Sequence, residues 1–277
     1  MKVQLFLPEF YKLQSMWLKL IDEDSSCFND DVEIKGIYGS FPNMDWNGGR
    51  VCLAKKDVTL DEVKNCFEEY SKRNVELTLC LSNNCLSKKD YQNEYCNQIC
   101  KIASKFNTRC NVVDKEFSMY LKENYPEIKQ NRSIICNYFN SNPNIDGYVI
   151  VNSRYNHDFN YLSKLKNKNN CILHANERCF INCPRIEHYT VISRAQLERG
   201  HESYVCRNEC NKATCISYNQ VNEYLDIGIN KFKFNDRQLS EISDTLEDIF
   251  NWLIKPQYKP ELYKKYMTLV STIVSSF

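Results

Sequence analysis

The chain has 277 residues, 43% hydrophobic and 26% charged, with a formal net charge of +1. Those figures describe a globular protein with ample core and exclude a chain drawn as a whole to nucleic acid. No stretch approaches the roughly 18 apolar residues of a membrane span, and the N-terminal run "MKVQLFLPEF" lacks the pattern of a signal peptide. A cytoplasmic location without membrane attachment is the expectation.

Short apolar runs rich in Val, Ile, Leu, Cys and aromatics lie along the chain with no strict alternation, as strands buried on both faces should. In chain order they are 33–41, 75–82, 109–114, 133–140, 147–152, 170–176, 213–219 and 231–236. Helical patterns fill most gaps. Residues 59–74 open with Thr59 and an acidic first turn and set Val63, Cys66, Phe67 and Tyr70 on one face. Residues 87–106 do the same with Tyr91, Tyr95, Ile99 and Ile102. Shorter helices are read at 158–167 and 219–228, and longer ones at 236–254 and 260–276. Eight strands in β–α alternation predict an α/β fold of the (β/α)8 TIM-barrel type with a C-terminal helix. One domain is read, its core at about 33–252 and its final helix at 253–277. "SNPNIDG", between the fourth and fifth strand candidates, is too short for a helix, so an irregularity is expected there. The phosphate fingerprint of a doubly wound sheet is absent.

A barrel concentrates chemistry at the C-terminal strand ends. Those positions hold Tyr38, the turn Gly48–Gly49–Arg50, Asn137, Asn152, Asn176, Lys233 and Arg237. Two guanidinium groups suit a carboxylate or phosphate by bidentate pairing. Glycines let backbone approach a ligand, though a plain turn explains them equally. The asparagines could read a polar substrate, against a background rich in Asn. Lys233 alternates with Phe232 and Phe234, so it would point into the barrel. The basic run 164–170 is a solvated helix end and a thin basis for RNA binding.

Fifteen cysteines, an odd number, do not read as a disulfide scaffold. Cys80, Cys136 and Cys171 sit in apolar runs and read as core. Cys179 and Cys183 form one CxxxC pair, Cys206 and Cys210 another. Four thiolates suit a tetrahedral zinc or a [4Fe–4S] cluster, and spacing alone leaves zinc, iron–sulfur and chance pairing open. His188 follows five residues after Cys183. It is read as a hydrogen-bond donor to a cluster sulfur or a proton donor, against a helix-capping residue.

The order of these elements resembles the peptidase U32 family, also called collagenase-like proteases, in its shorter single-barrel members. The resemblance rests on Asn176, Cys179, Cys183 and His188, then Cys206 and Cys210, then "GINKFKFNDR", with "IKGIYGSFPNMDWNGGR" near the start. It spans roughly residues 33–252. The chain departs from it at Asp236, where the family has Gly, and in a glycine triplet reduced to Gly48–Gly49. The "HGAMC" element of longer family members is absent. The resemblance implies a [4Fe–4S] cluster on the four cysteines. It further implies oxygen-independent hydroxylation or a related modification of a small or nucleotide-like substrate, with His188 and Arg237 as catalytic candidates. A peptidase is the second reading and a non-catalytic barrel with structural zinc the third. A partner protein is a further expectation.

Overall fold

The computed structural model describes residues 1–139, 141–177, 187–200, 214–235 and 242–275. Eight parallel strands close into a barrel in chain order: β1 (Val3–Pro8), β2 (Val32–Gly39), β3 (Glu76–Leu81), β4 (Thr108–Val112), β5 (Lys129–Arg132), β6 (Val149–Ile150), β7 (Cys171–His174) and β8 (Lys231–Lys233). Helices α1 (Gln14–Asp24), α2 (Leu60–Ser71), α3 (Glu94–Ala103), α4 (Lys115–Asn124), α5 (Cys136–Phe139), α6 (Phe159–Ser163), α7 (His188–Leu197), α8 (Val221–Asp226), α9 (Ile242–Leu253) and α10 (Lys259–Ser275) occur in the connections and at the C-terminal end. Among the described residues no helix is long and apolar enough to cross a membrane.

Three strand assignments differ from the sequence reading. The barrel starts at Val3 rather than near residue 33, because "VQLFLP" is a strand buried along nearly its whole length. The fifth strand is "KQNR", just before the predicted 133–140. Its polarity hid it. Gln130 bonds both the hydroxyl and the carbonyl of Ser118, and Asn131 donates to Asn111 Oδ1 at 3.3 Å and accepts from Tyr148 N at 2.8 Å. Buried amides with such partners are tolerated in a strand. Finally, the described part of 213–219 is no strand. Ser217 and Gln220 form a reciprocal capping box that starts a 3-10 turn at Tyr218, and local side-chain bonding of this kind competes with a ladder. The expected irregularity is present, now between β5 and β6, where α5 has only four residues.

Contacts divide the chain into two compact units. The first contains residues 1–37 and, among those described, 153–177 and 214–275. In it β8 lies between β1 and β7, with Leu5↔Phe232↔Leu173 and Phe6↔Lys233↔His174 in register. Trp252 of α9 packs on Phe232 and Phe234 at 4.7 and 5.6 Å between ring centroids. Phe232 and its register partners therefore face the helices. Alternation sends Phe6, Lys233 and His174 to the inner face.

The second unit contains 38–139, 141–152 and 187–200. Its helices follow their capping signals. Thr59 and Glu62 form a complete capping box on α2, and Val63, Cys66, Phe67 and Tyr70 are buried as expected. Asn93 caps α3 by accepting from Cys96 N, so this helix starts later than the periodicity suggested and buries Cys96, Ile99, Cys100 and Ala103. Burial pushes the Cys96 thiol up to about 12 and the Cys136 thiol up to about 11. These are packing thiols, as Cys171 also is by its burial. Cys80 is half-buried on β3 and receives a long contact from Asn111 Nδ2 at 3.9 Å.

Candidate functional site at the strand ends

The polar groups at the ends of β7 and β8 are built into one another. His174 ends β7, and Asn235 follows β8 by two residues, on the parity of Lys231 and Lys233. Asn235 Nδ2 lies 3.1 Å from His174 Nδ1 and 3.0 Å from Glu177 Oε2. His174 Nδ1 and Glu177 Oε2 are 3.5 Å apart, with both side chains almost fully buried. Asn176 locks this group from beside it: its Oδ1 accepts from Asn235 N at 2.6 Å and its Nδ2 donates to Asn235 O at 3.0 Å. Fully buried Asn156 donates to the carbonyls of His174 and Thr214 at 2.8 and 2.7 Å. Thr214 Oγ1 in turn donates to Glu177 O, and Ile216 N to Ala175 O at 2.7 Å. Cys215, expected in a strand core, is half-buried and donates through Sγ to Glu177 O at 3.3 Å.

Sequence reading singled out Asn176 and Lys233 from this group; Asn156, Glu177 and Asn235 fell within strand-end stretches but were not singled out, and neither was His174. Asn176 spends both amide atoms on the backbone of Asn235. Lys233 is 8% exposed on the inner face of β8. The signal for His174 was present in "CILHANE", a polar ring closing an apolar strand. Nothing local distinguished Asn235, whose role arises only from its distance to β7. Beside the group, a cavity of about 520 Å³ opens on Asn176 and Cys215 between Tyr218, Phe234 and Trp252, with Lys259 in its lining. That volume is in the range of small-molecule sites.

In the second unit the turn after β2 is held by side chains rather than by regular structure. Ser40 Oγ donates to Asn47 Oδ1 at 2.7 Å, and Asn47 Nδ2 donates to Arg50 O at 2.9 Å. A Cβ on Gly48 would lie 2.2 Å from Ser82 O, so this glycine admits the backbone of residues 82–83. Gly49 has φ +92° and open space around it. Tyr38 is buried at the end of β2, and Arg50 is half-exposed. α7 braces this turn. Gln196 donates to Met44 O at 3.0 Å and is bonded twice to the backbone of Cys52. Asn83 donates to Asp45 O and Ser193 O at 2.8 and 3.0 Å.

His188 is the first residue of α7, its ring centroid 3.8 Å from that of Tyr189. Asn152 is half-buried after β6. Asn137 is not at a strand end as expected. It lies in α5, because the strand is four residues earlier, and it accepts from Arg132 Nη1 at 2.6 Å. Cys179, Cys183, Cys206, Cys210 and Arg237 lie outside the described residues.

No family model matches the chain, and no curated protein matches it. Its structure is similar to a solved structure, that of the U32 peptidase Mk0906, at 12% identity and a TM-score of 0.51. The likeness covers 86% of this chain and 94% of that one. At such identity it establishes a U32-like barrel fold.

Proposed function

We propose that this chain is an iron–sulfur enzyme of the U32 type, modifying a small or nucleotide-like substrate by oxygen-independent hydroxylation or a related reaction. Its donor set suits the group: Cys179, Cys183, Cys206 and Cys210 would supply the four thiolates of a [4Fe–4S] cluster. The described cysteines are buried or half-buried, and among the described residues no His/Cys/Asp/Glu group could hold a metal ion. A single observation carries the reading beyond spacing. Thr214 bonds Glu177, so the residue that follows the second cysteine pair by four is fastened to the one that precedes the first pair by two.

When bound, such a cluster would supply electron transfer or a site for an oxygen donor. The chain's own groups at the strand ends would orient the substrate. Arg50 and Arg237 are each proposed as partners of an anionic group, and Lys233 as a positive charge on the inner face of β8. His188 would donate a proton or a hydrogen bond near the cysteines.

The name of Mk0906 favours a second reading, a peptidase. Neither HExxH nor GxSxG occurs in the sequence, so a hydrolase would need another arrangement. Zinc on the same four thiolates is the third.

Anaerobic purification with iron, sulfide and zinc analysis tests the proposal. About four irons per chain are expected from the cluster type, lost on Cys179→Ser or Cys206→Ser. A colourless protein with one zinc, or with no metal, overturns it.

A further inference from the structure

We propose that the cavity between α9 and the turn at Tyr218 binds a small aromatic anion, with Lys259 taking its carboxylate or phosphate group and Tyr218 and Trp252 holding its ring. The cavity measures about 520 Å³, and its whole lining belongs to the first compact unit. Phe234 and Trp252 pack on each other in its wall. Phe234 has the parity of Phe232, which faces the helices, so the cavity lies in the helical layer and not on the inner face of β8. It is thus separate from the groups proposed to orient a substrate inside the barrel.

Lys259 is half-buried in this lining. An ammonium has three N–H donors. Among the described residues its one hydrogen bond is to Asn251 O, at 3.2 Å, which keeps Nζ beside a second residue of the cavity. Other lysines of the unit are neutralised: Lys255 meets Asp30 at 2.8 Å and Lys265 meets Asp24 at 2.7 Å. No such pair is formed by Lys259 among the described residues. Asp248 lines the cavity too, yet it does not offset the charge of Lys259. Burial holds that ammonium below its ordinary value, and no carboxylate acts against the shift. An ammonium partly removed from water without a counter-ion favours an incoming anion.

The rest of the lining suits a ring. Tyr218 is fixed by its hydroxyl, which donates to Asp31 Oδ1 at 2.7 Å, and its ring tilts on Trp252 at 5.7 Å between centroids. With Phe234 the two make an aromatic corner, which a further ring fills in offset or edge contact. Aromatic walls with a few convergent polar groups are the usual make-up of a small-molecule site. A carboxylate and a phosphate ester present the same chemistry to Lys259, charged oxygens for an N–H donor. The proposal requires neither the cluster nor a choice between hydroxylase and peptidase.

Isothermal titration of the full chain with benzoate and with phenyl phosphate tests it. One equivalent of at least one probe should bind, and the tighter of the two identifies the anionic group. Lys259→Met should weaken binding by about tenfold or more, the worth of one charge-assisted hydrogen bond. Lys259→Arg should retain it. Lys259→Gln takes the place of Lys259→Met should that variant fail to fold. Acetate and inorganic phosphate, which lack the ring, should bind about tenfold or more weakly than the matching aromatic probe. The proposal is overturned if neither aromatic probe binds, if removing the Lys259 charge leaves affinity unchanged, or if the ringless anions bind as tightly.

Discussion

Gln196 Oε1 accepts from Cys52 N at 2.7 Å, and its Nε2 donates to Cys52 O at 3.2 Å. One fully buried side chain on α7 thus substitutes for a strand partner along the turn that carries Arg50. Gln196→Leu should remove these two buried hydrogen bonds to Cys52 and destabilise the protein by about 2–3 kcal/mol. Urea unfolding measures this. Trypsin cleavage after Arg50 should accelerate in the same variant, and an unchanged cleavage rate would deny that α7 braces the turn.

Gly48 and Gly49 should respond differently to alanine. At Gly48 the new methyl meets backbone, which cannot rotate aside, so Gly48→Ala should cost about 3 kcal/mol or more. At Gly49 only the left-handed backbone resists, and about 1–2 kcal/mol is expected. Equal losses in thermal or chemical unfolding would contradict the packing described for Gly48.

Arg109 Nε lies 2.6 Å from Glu76 Oε2, with Arg109 stacked over Tyr148 at 4.1 Å. Both ions are largely removed from water. Arg109→Met alone should leave the carboxylate buried without its partner and cost about 3–5 kcal/mol. The double variant Glu76→Leu, Arg109→Met should recover most of that loss. A double-mutant cycle measures the coupling, and a strictly additive result would refute it.

Asp24 should contribute an acid-sensitive part of stability. Burial works against its charge, but hydrogen bonds from Lys265 and Tyr266, at 2.7 and 2.5 Å, together hold its carboxyl below the ordinary value. A lowered folded pKa means the contribution is complete above the unfolded value of about 3.9 and is lost as pH falls through the folded value. The stability gap between the native chain and Asp24→Asn should thus be constant near neutrality and shrink below about pH 4. A gap that widens in acid would reverse the sign of the linkage.

Much of the barrel was legible because buried parallel strands and capped helices leave local marks. Val63, Cys66, Phe67 and Tyr70 announce the buried face of α2, and Thr59 with Glu62 announces its start. β5 left no such mark. Its residues are polar, and Ser118, Asn111 and Tyr148, which satisfy them, come from other elements. β1 was concealed by its place ahead of the first recognised helix rather than by its composition.

By itself the sequence determined the α/β alternation, the helix caps, the paired cysteine spacing and the resemblance those spacings support. Each of these depends on residues a few positions apart. Only the tertiary structure decided which polar groups meet. His174 and Asn235 are 61 residues apart along the chain. They become neighbours because β7 and β8 pair in parallel with His174 beside Lys233. Register is a long-range quantity, and whether two such side chains come within hydrogen-bond distance depends on it.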